Sequence, residues 1–213
     1  MIEVKEISLK IGNKEILKNI NINVMDGECF GLVGRNGSGK TMLMKVICGF
    51  VPATAGSVFV DGAEIGKDRD FPADTGIIIE TPGFIPAKSG FANLKNLADL
   101  NKRIDDEKIR DTMSFVGLDP DSKLHVSKYS LGMKQRLGLA QAIMEDPKVL
   151  ILDEPFNGLD MEGVADMRGF LLKQKKEGKT IIVSSHIKED IDLLCDKYVI
   201  MDKGEILQRW PDE

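Results

Sequence analysis

A chain of 213 residues can bury one well-packed core, and 42% hydrophobic with 30% charged residues excludes a disordered segment. The formal charge of −5, from 29 basic and 34 acidic residues, argues against a surface that grips nucleic acid without sequence preference. Three scattered cysteines, Cys29, Cys48 and Cys195, form no C-x-x-C pair and read as small buried hydrophobes in a reducing compartment.

The N-terminus, MIEVKEISLK, alternates apolar and polar residues and lacks an apolar leader region. The alternation predicts half-buried antiparallel strands over Ile2 to Leu9 and Ile16 to Val24, with a turn at Gly12-Asn13. Glu28 to Val33 then runs into Gly34-Arg35-Asn36-Gly37-Ser38-Gly39-Lys40-Thr41, a full match to G-x-x-x-x-G-K-[ST], followed by a helical pattern from Lys40 to Cys48. Glycines let the backbone wrap phosphate oxygens and aim successive N–H groups at them. Lys40 is expected to add a point charge at the β- and γ-phosphates, and the Thr41 hydroxyl to ligate Mg²⁺. The helix beginning at Lys40 turns its positive dipole end to the same anion. A chance match is expected in about 1% of chains of this length, and here a strand enters the loop and a helix leaves it.

A further strand is predicted over Ser57 to Val60 before the turn Asp61-Gly62, and a buried one over Gly76 to Ile79. Helical signals dominate after the Pro- and Gly-bearing stretch Thr81 to Pro86. Ser89 can cap a helix through Leu100, Asp105 another through Val116, and Leu131 to Met144 reads as a third. Strand–helix alternation then returns, with strands over Val149 to Leu152, Thr180 to Val183 and Tyr198 to Met201 and helices over Met161 to Lys176 and Ile187 to Leu194. That order implies right-handed crossovers and a mainly parallel sheet. Asp202 to Glu205 reads as a hairpin turn, and the sequence stops soon after Trp210, which is expected to exclude a C-terminal regulatory domain. The longest apolar stretches, such as Val149 to Leu152, are far too short to span a bilayer.

The strand Val149 to Leu152 ends in Asp153-Glu154. A carboxylate at the carboxyl end of a core strand suits Mg²⁺ ligation, which falls to Asp153, and Glu154 is then placed to polarise an attacking water. Solvated acids after a buried strand are commonplace alone; downstream of a complete phosphate loop they carry weight.

Between these elements, Tyr129-Ser130-Leu131-Gly132-Met133-Lys134-Gln135-Arg136 resembles the signature motif that separates ABC ATPases from other phosphate-loop proteins. Asn157-Gly158-Leu159-Asp160 resembles the D-loop, and Ser185-His186 the switch histidine. The resemblance covers essentially the whole chain. It implies an α/β P-loop NTPase of ABC type, with a mainly parallel core sheet, an N-terminal antiparallel β region and an inserted helical lobe. One nucleotide-binding domain is expected over 1–213, with its core at 1–81 and 146–213 and the lobe at about 82–145. No N-K-x-D pattern is present, since Asn101-Lys102 runs on into Arg103-Ile104, so a GTPase reading falls.

The resemblance also implies two cassettes sandwiching two ATP molecules head to tail. Ser130 and the Gly132 amide would contact the γ-phosphate held by a second subunit's Lys40; His186 would contact the γ-phosphate bound by its own chain, and Asp160 would connect the two sites. Glu154, His186 and Lys40 are the expected catalytic residues, and Thr81 joins the nucleotide-binding set. Three positions depart from the pattern. Ile11 stands where an aromatic ring commonly stacks on adenine, which weakens base selectivity and admits GTP. Glu80 replaces the usual glutamine and is expected on the metal side with Thr41 and Asp153. Leu131 and Met133 replace glycine and glutamine in the signature. Glu80-Thr81-Pro82-Gly83-Phe84, taken with YSLGMKQRLGLA at 129–140, resembles the branch of bacitracin-export and lantibiotic-immunity ATPases. Membrane-spanning permease subunits and a second nucleotide-binding subunit are thus the expected partners, at the cytoplasmic face of a bacterial membrane. Two rivals are a soluble ABC ATPase, which lacks support because no coiled-coil or zinc-binding insertion is present, and a nucleotide sensor with little hydrolysis.

Overall fold

The structure, a computed structural model, describes residues 1–80 and 83–211, so the expected nucleotide contact at Thr81 lies outside the described residues. Strands β1 (Ile2–Ile11) and β2 (Lys14–Val24) form the antiparallel hairpin that the alternation predicts. Strand β3 is Cys29–Val33, and β4 begins at Ala55 rather than Ser57 and ends at Val60. Strand β5, Ala63–Glu64, is too short to show a period. The first sheet has the order β2-β1-β4-β5, all antiparallel.

The second sheet contains β3, β6 (Thr75–Ile78), β7 (Val149–Leu152), β8 (Thr180–Ser185), β9 (Lys197–Asp202) and β10 (Glu205–Trp210). Its order is β10-β9-β3-β8-β7-β6, parallel throughout except for the β9–β10 hairpin, which forms around the Asp202–Glu205 turn. The helices are α1 (Lys40–Ile47), α2 (Gly90–Asn101), α3 (Asp106–Phe115), α4 (Leu131–Ile143), α5 (Met161–Lys176) and α6 (Lys188–Leu194). Four of them start on a side chain that accepts a backbone N–H: Ser89 from Ala92, Asp105 from Lys108, Ser130 from Met133 and Asp160 from Gly163. A 3₁₀ turn at Val126–Lys128 precedes α4.

The parallel sheet is buried on both faces, and its period of two divides the core. Leu150, Leu152, Ile181 and Val183 face one cluster with α2 to α6, whereas Val149, Ile151 and Ile182 face the other, with α1 and the first sheet. Each fully buried Leu or Ile contributes about 1.5–3 kcal/mol of burial. The carboxyl ends of β3, β7 and β8 lie side by side, and there the three strands deliver Gly34, Asp153 and His186. No helix among the described residues is long and apolar enough to cross a membrane.

Candidate functional site

The loop after β3 is held from below by the β9–β10 turn, where the Gly204 N–H donates to the Ser38 carbonyl at 2.9 Å. Arg35, Asn36 and Gly37 form its exposed crest, and Ser38 and Lys40 are buried. Gly39 precedes α1 at φ 111°, a conformation that L side chains rarely adopt. A Cβ on Gly34 would lie 2.5 Å from the Met201 carbonyl and 2.6 Å from Ser38 Oγ. Because the Met201 carbonyl is backbone and cannot yield cheaply, Gly34→Ala is expected to destabilise the fold by about 1–3 kcal/mol, read as a lowered Tm. No acidic residue occupies the first turn of α1, so its dipole end and N–H groups are unopposed.

Lys40 Nζ donates to the Gly34 carbonyl at 2.7 Å and the Arg35 carbonyl at 3.4 Å, and lies 3.3 Å from Glu154 Oε1. The Thr41 hydroxyl donates to Asp153 Oδ2 at 2.7 Å. Ser184, fully buried near the end of β8, donates to Asp153 Oδ1 at 2.6 Å and accepts the Glu154 N–H at 2.9 Å. One hydroxyl therefore fixes both acids. Sequence reasoning missed Ser184, although the pair Ser184-Ser185 before His186, ending an apolar strand, was its signal. Glu154 sits at φ 49°, turning the chain sharply after β7, and its Oε2 lies 2.8 Å from His186 Nδ1. A carboxylate can only accept, which places the proton on Nδ1 and leaves Nε2 as the ring's other hydrogen-bonding atom. The structure thus brings Lys40, Thr41, Asp153, Glu154 and His186 into one cluster.

Ser130, Gly132 and Asp160 form a second group. They line a cavity of about 390 Å³ with Leu131, Met133, Arg136, Gly158 and Leu159. Leu131 packs directly on Gly158, where a Cβ would meet its Cγ at 2.9 Å, so the unusual leucine joins the signature segment to the D-loop-like turn. Arg136 adds a contact of 3.8 Å to Asp160 Oδ1. Ser130 and Asp160 are exposed, and among the described residues neither hydrogen-bonds to the Lys40 cluster. Glu80 follows β6 at φ 57° with its carboxylate 2.8 Å from Lys45, and Ile11 ends β1 at 54% exposure.

The residues present fit a nucleotide triphosphate with a divalent cation. Ser38 Oγ is buried without a hydrogen-bond partner among the described residues, within a loop of N–H groups. Thr41 and Asp153 offer two hard oxygens at one point, and no group of three or more His, Cys, Asp or Glu able to hold a metal occurs among the described residues. A Mg²⁺ held there would take its other ligands from phosphate and water oxygens.

Residues 17–157 match the ABC transporter family. The chain belongs to that family. Its relatives include the ABC transporter ATP-binding protein YybJ of Bacillus subtilis, at 46% identity over 97% of this chain and 94% of that protein. The bacitracin transport ATP-binding protein BcrA of Enterococcus faecalis is 39% identical over 98% of this chain and 68% of its own length. Among solved structures, the ATP-binding cassette MJ0796, a dimer in a post-hydrolysis state with ADP and Pi, superposes with a TM-score of 0.87 at 21% identity, covering 98% of this chain and 97% of that one. The chain is thus an ABC ATPase domain and shares the cassette fold.

Proposed function

We propose that this cassette binds MgATP at Gly34–Thr41, hydrolyses it, and powers a bacterial exporter of peptide antibiotics or related drugs. The observation that carries the reading is the cluster in which Lys40, Glu154 and His186 stand in contact beside the Thr41–Asp153 pair. Lys40 and the loop N–H groups bind and orient the phosphates; Thr41 and Asp153 hold Mg²⁺, which neutralises charge on phosphate oxygens when bound. Glu154 takes the proton of the attacking water, and His186 orients the Glu154 carboxylate through Nδ1. Ser130 and Gly132 complete the site of a second cassette, and Asp160 lies at the junction of the two. The domain divides into a core at 1–81 and 146–213 and a helical lobe at about 82–145, and Thr81 belongs to the proposed nucleotide-binding set.

Similarity to the bacitracin transport ATP-binding protein BcrA supports a role in transport of a peptide antibiotic; export, membrane-spanning permease partners and a place at the cytoplasmic face of the membrane are part of the proposal. Binding of the closed state by ATP and the open state by ADP supplies the mechanical cycle. Co-purification from native membranes tests this assignment: recovery with a polytopic permease is expected, and recovery only as a free chain would contradict it. Glu80, on the metal side, is expected to tune Mg²⁺ use. Glu80→Gln removes its charge with little change in backbone preference, and should shift the Mg²⁺ dependence of hydrolysis severalfold, as a stronger oxygen ligand is exchanged for a weaker one. Unchanged Mg²⁺ dependence and rate would remove Glu80 from the site.

A further inference from the structure

Lys45 has been given no role so far, yet its side chain ties α1 to Glu80, just after β6. Its Nζ lies 2.8 Å from Glu80 Oε1, with the Lys45 side chain 22% exposed and that of Glu80 61% exposed. Lys45 follows Thr41 by four residues, so the two share one face of α1. Thr41 reaches Asp153, which follows β7, and Lys45 reaches Glu80, which closely follows the adjacent strand β6. The two strands are in register, and the Asp153 N–H donates to the Ile78 carbonyl at 2.7 Å. One helix face therefore grips carboxylates from two neighbouring strand ends.

Charge gives this arrangement a consequence. A carboxylate at position 80, where the family resemblance leads one to expect a neutral amide, adds negative charge to a corner already holding Asp153 and Glu154. Lys40 faces the Gly34 and Arg35 carbonyls and Glu154, and its charge is assigned to the phosphates. Lys45 is the cation that Glu80 pairs with. We propose that Lys45 is a positioning residue for Glu80, holding and neutralising its carboxylate at the metal-side end of the sheet so that a glutamate is compatible with triphosphate binding. The inference rests on the reading of Glu80 as a metal-side group.

The test is a double-mutant cycle in the full-length chain: Lys45→Met, Glu80→Gln and both together, with KM for MgATP, kcat and thermal stability measured for each. Lys45→Met strands a negative charge beside the triphosphate, and KM should rise about two- to fivefold with a smaller change in kcat. Lys45→Arg keeps the pairing and should keep KM near wild type. In the Glu80→Gln background, Lys45→Met should leave KM unchanged, because no charge remains to compensate. An effect of equal size in both backgrounds overturns the proposal. Glu80→Gln alone keeps the two readings separate: unchanged Mg²⁺ dependence and rate there defeat the metal-side reading of Glu80, whereas a shifted Mg²⁺ dependence with an uncoupled cycle defeats only the role of Lys45.

Discussion

Glu154→Gln is expected to abolish turnover and to accumulate an ATP-bound dimer. The substitution preserves shape and can still accept from His186 Nδ1, now at 2.8 Å from the carboxylate, so the cluster should stay assembled. What it removes is the proposed base for the attacking water, and with it about 10²- to 10⁴-fold in kcat. ATP binding should survive, because Lys40, Thr41 and the loop N–H groups are untouched. Size-exclusion chromatography with MgATP should therefore show two-chain mass, and ADP should restore one-chain mass. Hydrolysis at the wild-type rate would remove Glu154 from its assigned role.

Lys40→Met should act one step earlier, on binding. Lys40 is 5% exposed and its ammonium is held by two loop carbonyls and Glu154, so it is fixed in place before any phosphate arrives. A charge-assisted hydrogen bond of this kind contributes about 1.5–3 kcal/mol, or roughly 10- to 150-fold in Kd for MgATP. Methionine fills the same space, so the loss is expected in affinity measured by calorimetry. An unchanged Kd would mean that the loop is not the phosphate site. The opposite pattern, unchanged binding with lost turnover, is expected of Glu154→Gln, and the pair of variants separates the two steps.

What the sequence reveals here is mainly what is encoded locally. The β1–β2 hairpin, the phosphate loop and the helix starts at Ser89 and Asp105 follow from periods and caps within a few residues. Strand β5 has too few residues for a period, and β10 was visible only as the turn before it. The expected strand through Ile79 stops at Ile78, because the chain turns through Glu80 at φ 57°. The links that tie the site together are longer-ranged. Ser184 acts on Asp153 and Glu154 only because β8 lies beside β7, and Lys45 meets Glu80 only because α1 packs near the end of β6. Neither pairing has a signature in residue spacing. Ser130 and Asp160 were legible as motifs, but their side chains are exposed, and the second subunit proposed above would have to supply what they act on.

Phosphate release by the purified chain, followed across protein and Mg²⁺ concentrations, tests the composite MgATPase most directly. Hydrolysis is expected to require Mg²⁺, to rise per subunit as protein concentration favours the dimer, and to fall steeply in Lys40→Met at ATP concentrations below its raised Kd. Absence of release at every concentration, or a rate indifferent to Mg²⁺ and to Lys40, would contradict a composite MgATPase.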